Sequence, residues 1–270
     1  GNDPNYDLFP SLKSSIFGIH AVPASDSDFT FATDNTINFN VVINKRSNDN
    51  RDGSFLLETY GSSNILDDET SEEYIGLYDN QKWNFAVRVK HKNYPNSGVV
   101  SGSTGKLYDV IFEGVNAISD VIQNSFYVTG TISNAAGLNF ITQKKRLYAG
   151  AHRTNFTGSV IYGSDAQVSS CRYWADDLSS AELKAHAIDA TSFGIENPHN
   201  NAYLIQNRAQ SNIAIPRSKT LILNWDFDTV TGSNSSGQFV TKDFSYTSGS
   251  TANNKLTSSK WSPVVGSSKI

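Results

Sequence analysis

One cysteine, no methionine and no long apolar run set the first limits on this chain. Cys171 alone cannot close an internal disulfide, so a cross-linked scaffold is excluded. No stretch approaches the roughly 20 apolar residues that a membrane-spanning helix needs, and no secretory signal peptide is seen at the head of the sequence. The 22 Lys and Arg are outnumbered by 26 Asp and Glu, leaving a formal charge of −4, and no cationic cluster offsets that locally. A general attraction to nucleic acid is thereby excluded. Without any methionine, a starter included, the chain reads as a processed product or an excerpt of a longer one.

Catalytic signatures are missing as well. There is no G-x-S-x-G elbow and no H-E-x-x-H. The stretch GVVSGSTGK (98–106) has Val100 where the first glycine of a phosphate-binding loop must stand. No E-x-D-x-E run places paired carboxylates on one strand face, and His20, His91, His152, His186 and His199 are dispersed. The expectation is a protein that is not an enzyme. His186 is expected near a helix C-terminus, where a partial positive charge meets the negative end of the dipole.

What is present is 270 residues with 38% hydrophobic and 11% aromatic content, enough for one large domain or a domain plus a fragment. Ser, Thr, Asn, Asp and Gly abound, as suits short strands joined by polar turns. Alternation puts Phe29 and Phe31, then Ile37, Phe39, Val41 and Ile43, on one sheet face. The polar run NKRSNDNRDG follows, and a strand resumes at Phe55–Tyr60, which predicts a hairpin. Further strands are expected at Trp83–Lys90, with Trp83, Phe85, Val87 and Val89 facing the core, and at Leu107–Asn116, Phe126–Ile132, Leu147–Ala149 and Leu221–Phe227. Cys171, within the alternating run Val168–Trp174, reads as a buried and inert thiol. One short helix is expected near 179–188, because Ser179 and Glu182 have capping-box spacing. Gly194 and Pro198 punctuate its end. Strands without intervening helices predict an all-β, antiparallel sandwich.

Three groups of residues are candidate sites. Asn48, Asn50, Asp52 and Gly53 match the first half of a calcium loop, with oxygen ligands at alternate positions and a glycine for the sharp turn. The closing glutamate is displaced, since Thr59 stands at its position, and a hairpin turn explains the same residues. Asp67, Asp68, Glu69, Glu72 and Glu73 gather five carboxylates that a hard cation could use, or that form a solvated acidic loop. His152, Arg153 and Asn155 occupy a turn among Tyr148, Phe156 and Tyr162. There a planar guanidinium could grip an anion, aromatic neighbours would suit a sugar, and ordinary turn chemistry is the alternative. Asn155 and Asn234 also head N-x-S/T sequons.

The stretch LYAGAHRTNFTGSVIYGSDAQVSSCRYWADDLSSAELKAHAID (147–189), together with WNFAVRV, resembles the closing part of a laminin-G-like, concanavalin A-like jelly roll. A "G-x-x-x-x-F-x-G" hairpin there leads to an "aromatic-W-x-x-x-L-S-x-x-E" ending. With ELKAHAIDATSFGIENP and LNWDFDTVTGSNSSGQF, the chain also resembles laminin-G-like units in large structural proteins of tailed marine bacteriophages. The resemblance implies a jelly roll over 1–200, a connector at 201–219 and a C-terminal β segment at 220–270. That segment either completes the first unit or begins a second, and the resemblance favours the second. It implies a virion structural or assembly module in an extracellular particle, with loops that could face a host surface. Its partners would be other virion proteins, copies of itself or surface glycans. The alternative is a lectin-like carbohydrate-binding module assisted by Ca²⁺. Laminin-G-like domains often hold calcium at one end, but their ligands do not carry over onto particular positions here.

Overall fold

The computed structural model describes residues 12–21, 37–46, 51–59, 66, 69–94, 107–154, 159–192, 220–227, 239–240 and 264–265. The first seven strands are β1 (Lys13–Ala21), β2 (Asn38–Lys45), β3 (Gly53–Glu58), β4 (Glu69–Thr70), β5 (Trp83–His91), β6 (Tyr108–Ile118) and β7 (Val121–Ile132). Helix α1 (Asn134–Thr142) follows, then β8 (Lys145–Ala149), β9 (His152–Arg153), β10 (Val160–Tyr162) and β11 (Ser170–Trp174). Helix α2 (Ser180–Ile188) precedes β12 (Leu221–Asp226), β13 (Phe239–Val240) and β14 (Val264–Val265). Among the described residues the protein is mostly β, in antiparallel sheets, with two short α-helices.

Five strands form one sheet in the order β4-β3-β2-β1-β8, and three form another in the order β5-β6-β7. Period-two alternation gives each sheet one apolar face, and the two faces close on a single core. Phe39, Val41, Phe55 and Leu57 come from the large sheet; Val110, Phe112, Phe126 and Ile132 come from the small one. Phe55 is the hub, with ring centroids 4.7 Å from Trp83, 4.6 Å from Phe85 and 5.6 Å from Phe126. Burying each such side chain contributes roughly 1.5–3 kcal/mol. Trp83, Phe85, Val87 and Val89 all pack on this core, as their alternation predicts. Gly114 admits the Phe126 ring across β6, since a Cβ there would lie 2.2 Å from Cε1. The predicted hairpin pairing is present, with β2 and β3 antiparallel from Asn40↔Glu58 to Lys45↔Gly53.

Helix α2 begins where the capping box predicts. Glu182 N–H donates to Ser179 Oγ at 3.2 Å, and Ser179 N–H donates to Glu182 Oε2 at 2.6 Å. It lies on the outer face of the small sheet, where Ala187 meets Val115 and Ala117. The expectation of one helix is corrected by α1. Ser133 caps it through Ala136 N–H, while Ala136 and Phe140 turn inward. Its first turn has no Glu to complete a box, and Gly137 interrupts it. That glycine is required by packing, because a Cβ would lie 2.2 Å from the Tyr108 ring. Lys145 closes the far end, donating to the carbonyls of Ile141 and Gln143 at 3.2 and 2.9 Å. Burial lowers its ammonium to about 8.

Strand β12 pairs antiparallel with β11, from Ser170↔Asp226 to Trp174↔Leu221, so residues 221–226 are joined to the strand that precedes α2. Cys171 sits in this ribbon opposite Trp225. By exposure Cys171 is half-buried rather than buried as expected, while desolvation pushes its thiol up to about 12, as suits an inert group. The predicted strand around Phe29 and Phe31 and the connector at 201–219 lie outside the described residues.

Candidate functional site

The same alternation that turns Phe39 and Val41 inward turns Asn38 and Asn40 to the opposite face of the large sheet. Ser15, Gly18 and His20 of β1, Glu58 of β3, and Arg146 and Tyr148 of β8 share that face by register. Such a polar face would ordinarily meet water, yet Ser15, His20 and Asn40 are fully buried and Asn38, Glu58 and Arg146 nearly so. The β9–β10 ribbon brings His152 over it, also at 0% exposure.

Asn40 organises this layer. Its Oδ1 is 2.9 Å from His20 Nε2 and accepts from the Tyr148 hydroxyl at 2.8 Å, while its Nδ2 donates to Asn38 Oδ1 at 2.9 Å. His152 stacks on Tyr148 with centroids 5.0 Å apart and planes 6° from parallel, and its ring lies 5.4 Å from that of His20. Lys13 Nζ pairs with Glu58 Oε2 at 2.6 Å on the layer's flank. Desolvation, then repulsion from His152, lowers His20 to about 3 against the opposing bond from Asn40. Desolvation lowers His152 to about 4, and burial raises the Tyr148 phenol above its ordinary range. At neutral pH the two imidazoles and the phenol of this layer are uncharged, joined by hydrogen bonds and stacking.

A second polar network lies on the outer face of the small sheet. Arg88 Nη2 donates to Glu113 Oε2 at 3.0 Å and to Ser180 Oγ at 3.1 Å, while Nη1 donates to Leu178 O at 2.8 Å. Ser180 Oγ donates in turn to Glu113 at 2.9 Å, and Asp177 accepts from Lys90 at 3.3 Å. These bonds fasten the start of α2 to β5 and β6. A third tie joins Lys45 to Asp165 at 2.7 Å, both side chains being nearly buried.

The sequence-predicted residues fall apart in this arrangement. Asp52 Oδ1 accepts from Gly76 N–H at 2.9 Å and holds the turn where Gly76 has φ +65°. Asn48, Asn50, Asp67 and Asp68 lie outside the described residues. Among the described residues, no three His, Cys, Asp or Glu gather closely enough to hold a metal. His152 points into the buried layer while Arg153 beside it is exposed, so the two do not share a surface; Asn155 lies outside the described residues. His186 stands in the last turn of α2 as expected, but without the expected positive charge. It is buried against Trp174, 5.3 Å between rings, and desolvation lowers it, so a neutral ring donates to the carbonyl of Glu182 at 2.8 Å.

Sequence reasoning passed over one surface feature. The outermost strand of the small sheet, β7, reads VIQNSFYVTGTI, twelve residues without Asp, Glu, Lys, Arg, His or Pro. Among the described residues it pairs only with β6. Tyr127 is 57% and Val121 58% exposed. Compared with known protein families, curated proteins and solved structures, the chain matches none of them.

Proposed function

We propose that this chain is a non-catalytic structural and assembly module of a virion, a concanavalin A-like jelly roll that joins neighbouring proteins in a tailed phage particle. Two antiparallel sheets sharing one core support the architecture. The sequence resemblance supports the setting. The observation that carries the reading is the β7 edge. A long, exposed edge strand is a template for pairing with another chain, and proteins that stay apart blunt such edges with Lys, Pro or short length. β7 has none of these devices over its central run. Ile118, 53% exposed at the β6–β7 hairpin end, adds apolar surface beside Val121.

A glycan screen with and without calcium, read alongside thermal unfolding, tests this reading. The expected result is no retained polysaccharide and no rise of the unfolding midpoint with calcium. Specific retention of a glycan, strengthened by calcium, would replace the structural module with the lectin-like one.

A further inference from the structure

We infer that the partner of β7 is β7 of a second copy, paired antiparallel about a twofold axis at Tyr127. This rests on the assembly reading of the same edge and names its occupant. The edge has defined limits. A bulge at Gln123, where Asn116↔Asn124 gives way to Ala117↔Ile122, ends the straight run on one side. On the other, Leu66 and Glu69 approach Gly130 so closely that a Cβ there would meet them at 2.3 and 2.5 Å. The run from Asn124 to Gly130 remains, and Tyr127 is its midpoint.

Folding that run onto itself about Tyr127 sets Phe126 opposite Val128, Ser125 opposite Thr129 and Asn124 opposite Gly130. Aromatic against β-branched and hydroxyl against hydroxyl are pairings that stabilise antiparallel neighbours. Phe126 and Val128 already face the core, so the apolar stripe would continue from one copy into the next. Ser125, Tyr127 and Thr129 face outward and are exposed, with Arg88 held 5.9 Å from the Tyr127 ring.

Charge argues for a copy at this edge rather than elsewhere. Two molecules of net charge −4 repel, and they meet at lower cost along a strand whose own residues carry no charge, Glu69 beside Gly130 and Arg88 beside Tyr127 being contributed by other strands. The other edge of the small sheet, β5, carries Arg88, Lys90 and His91; of the large sheet's edges, β8 carries Lys145 and Arg146, and β4 is two residues long. An isologous contact also needs only one self-complementary patch, which the Tyr127-centred register supplies.

Sedimentation velocity of the full chain across low to high micromolar concentration tests this with two variants. Ser125→Lys with Thr129→Lys puts lysine opposite lysine twice across the axis. Ser125→Lys with Thr129→Glu puts lysine opposite glutamate twice. The expected result is a wild-type dimer, a dissociation constant raised roughly tenfold or more in the Lys/Lys chain, and a dimer restored in the Lys/Glu chain that weakens with salt. Should the Lys/Lys chain not fold, a Lys/Glu dimer that salt weakens against a wild type that salt does not weaken is the deciding readout. A monomeric wild type overturns self-pairing, as does a dimer indifferent to both variants. Loss of the dimer in both variants overturns the Tyr127-centred register. A monomer that retains no glycan sinks only the self-pairing, whereas glycan retention sinks the assembly reading itself.

Discussion

Tyr148 lies flat across Gly18. A Cβ at that glycine would come within 2.5 Å of both the ring and the hydroxyl of Tyr148, which is the cross-strand partner of Gly18 on β8. The ring cannot easily yield, because its hydroxyl is bonded to Asn40 and its face is stacked on His152. Gly18→Ala is therefore expected to cost about 1–3 kcal/mol by overpacking. The urea midpoint should fall accordingly, and adding Tyr148→Ala should produce much less than the sum of the two single losses. Additive losses would mean that ring and glycine do not constrain each other.

The buried histidines give stability a direction in pH. In the unfolded chain each imidazole takes a proton near 6.5, whereas in the fold His20 does so only near 3 and His152 near 4. The unfolded state binds more protons between those limits, so stability is fully present above about 6.5 and is lost as pH falls through about 4 and then 3. The slope approaches two protons, on the order of 3 kcal/mol per pH unit at its steepest. His152→Phe keeps a ring against Tyr148 and should remove about one proton from that slope. His186, also lowered, adds the same sign to both chains and leaves the difference intact. A slope unchanged by the substitution would contradict the protonation of His152 on unfolding.

Arg88 is the clamp between α2 and the small sheet. Its side chain is 10% and that of Glu113 4% exposed, so removing one leaves the other charged and buried. Arg88→Leu is expected to cost about 3–5 kcal/mol, with Arg88→Leu/Glu113→Leu recovering part of it. Equilibrium denaturation of the double-mutant cycle checks this, and a double variant no better than Arg88→Leu would show that Glu113 is not the group left stranded.

Asp52 is a turn residue before it is anything else. Losing its bond to Gly76 N–H should cost about 1–2 kcal/mol in Asp52→Ala. The loss should be the same with and without calcium. A gap between wild type and variant that widens with calcium would make Asp52 a ligand.

The sequence exposed the strands that alternate cleanly and the helix with reciprocal caps. Trp83, Phe85, Val87 and Val89 were readable because one face of β5 meets one core. The polar layer was not. Asn38, Asn40 and His20 alternate with apolar residues as solvent-facing positions do, yet all are buried, with Tyr148 bonded to Asn40 and His152 packed near His20, both contributed from more than a hundred residues later. His152 stands in the sequence beside polar Arg153 and Thr154, as a turn residue does, and only tertiary packing turns it inward. Helix α1 was hidden by Gly137, whose reason is the Tyr108 ring across the fold. The β7 edge could have been noticed as twelve residues without charge, although its place at the margin of a sheet depends on topology.

Amide hydrogen exchange across a concentration series tests the central claim most directly, since pairing at an edge protects the backbone groups it engages. Exchange within residues 124–130 is predicted to slow as concentration rises, while the β6–β7 hairpin end at Ser119 and Asp120 stays unchanged. Exchange in 124–130 that is the same at every concentration, with protection rising elsewhere or nowhere, would contradict β7 as the assembly edge.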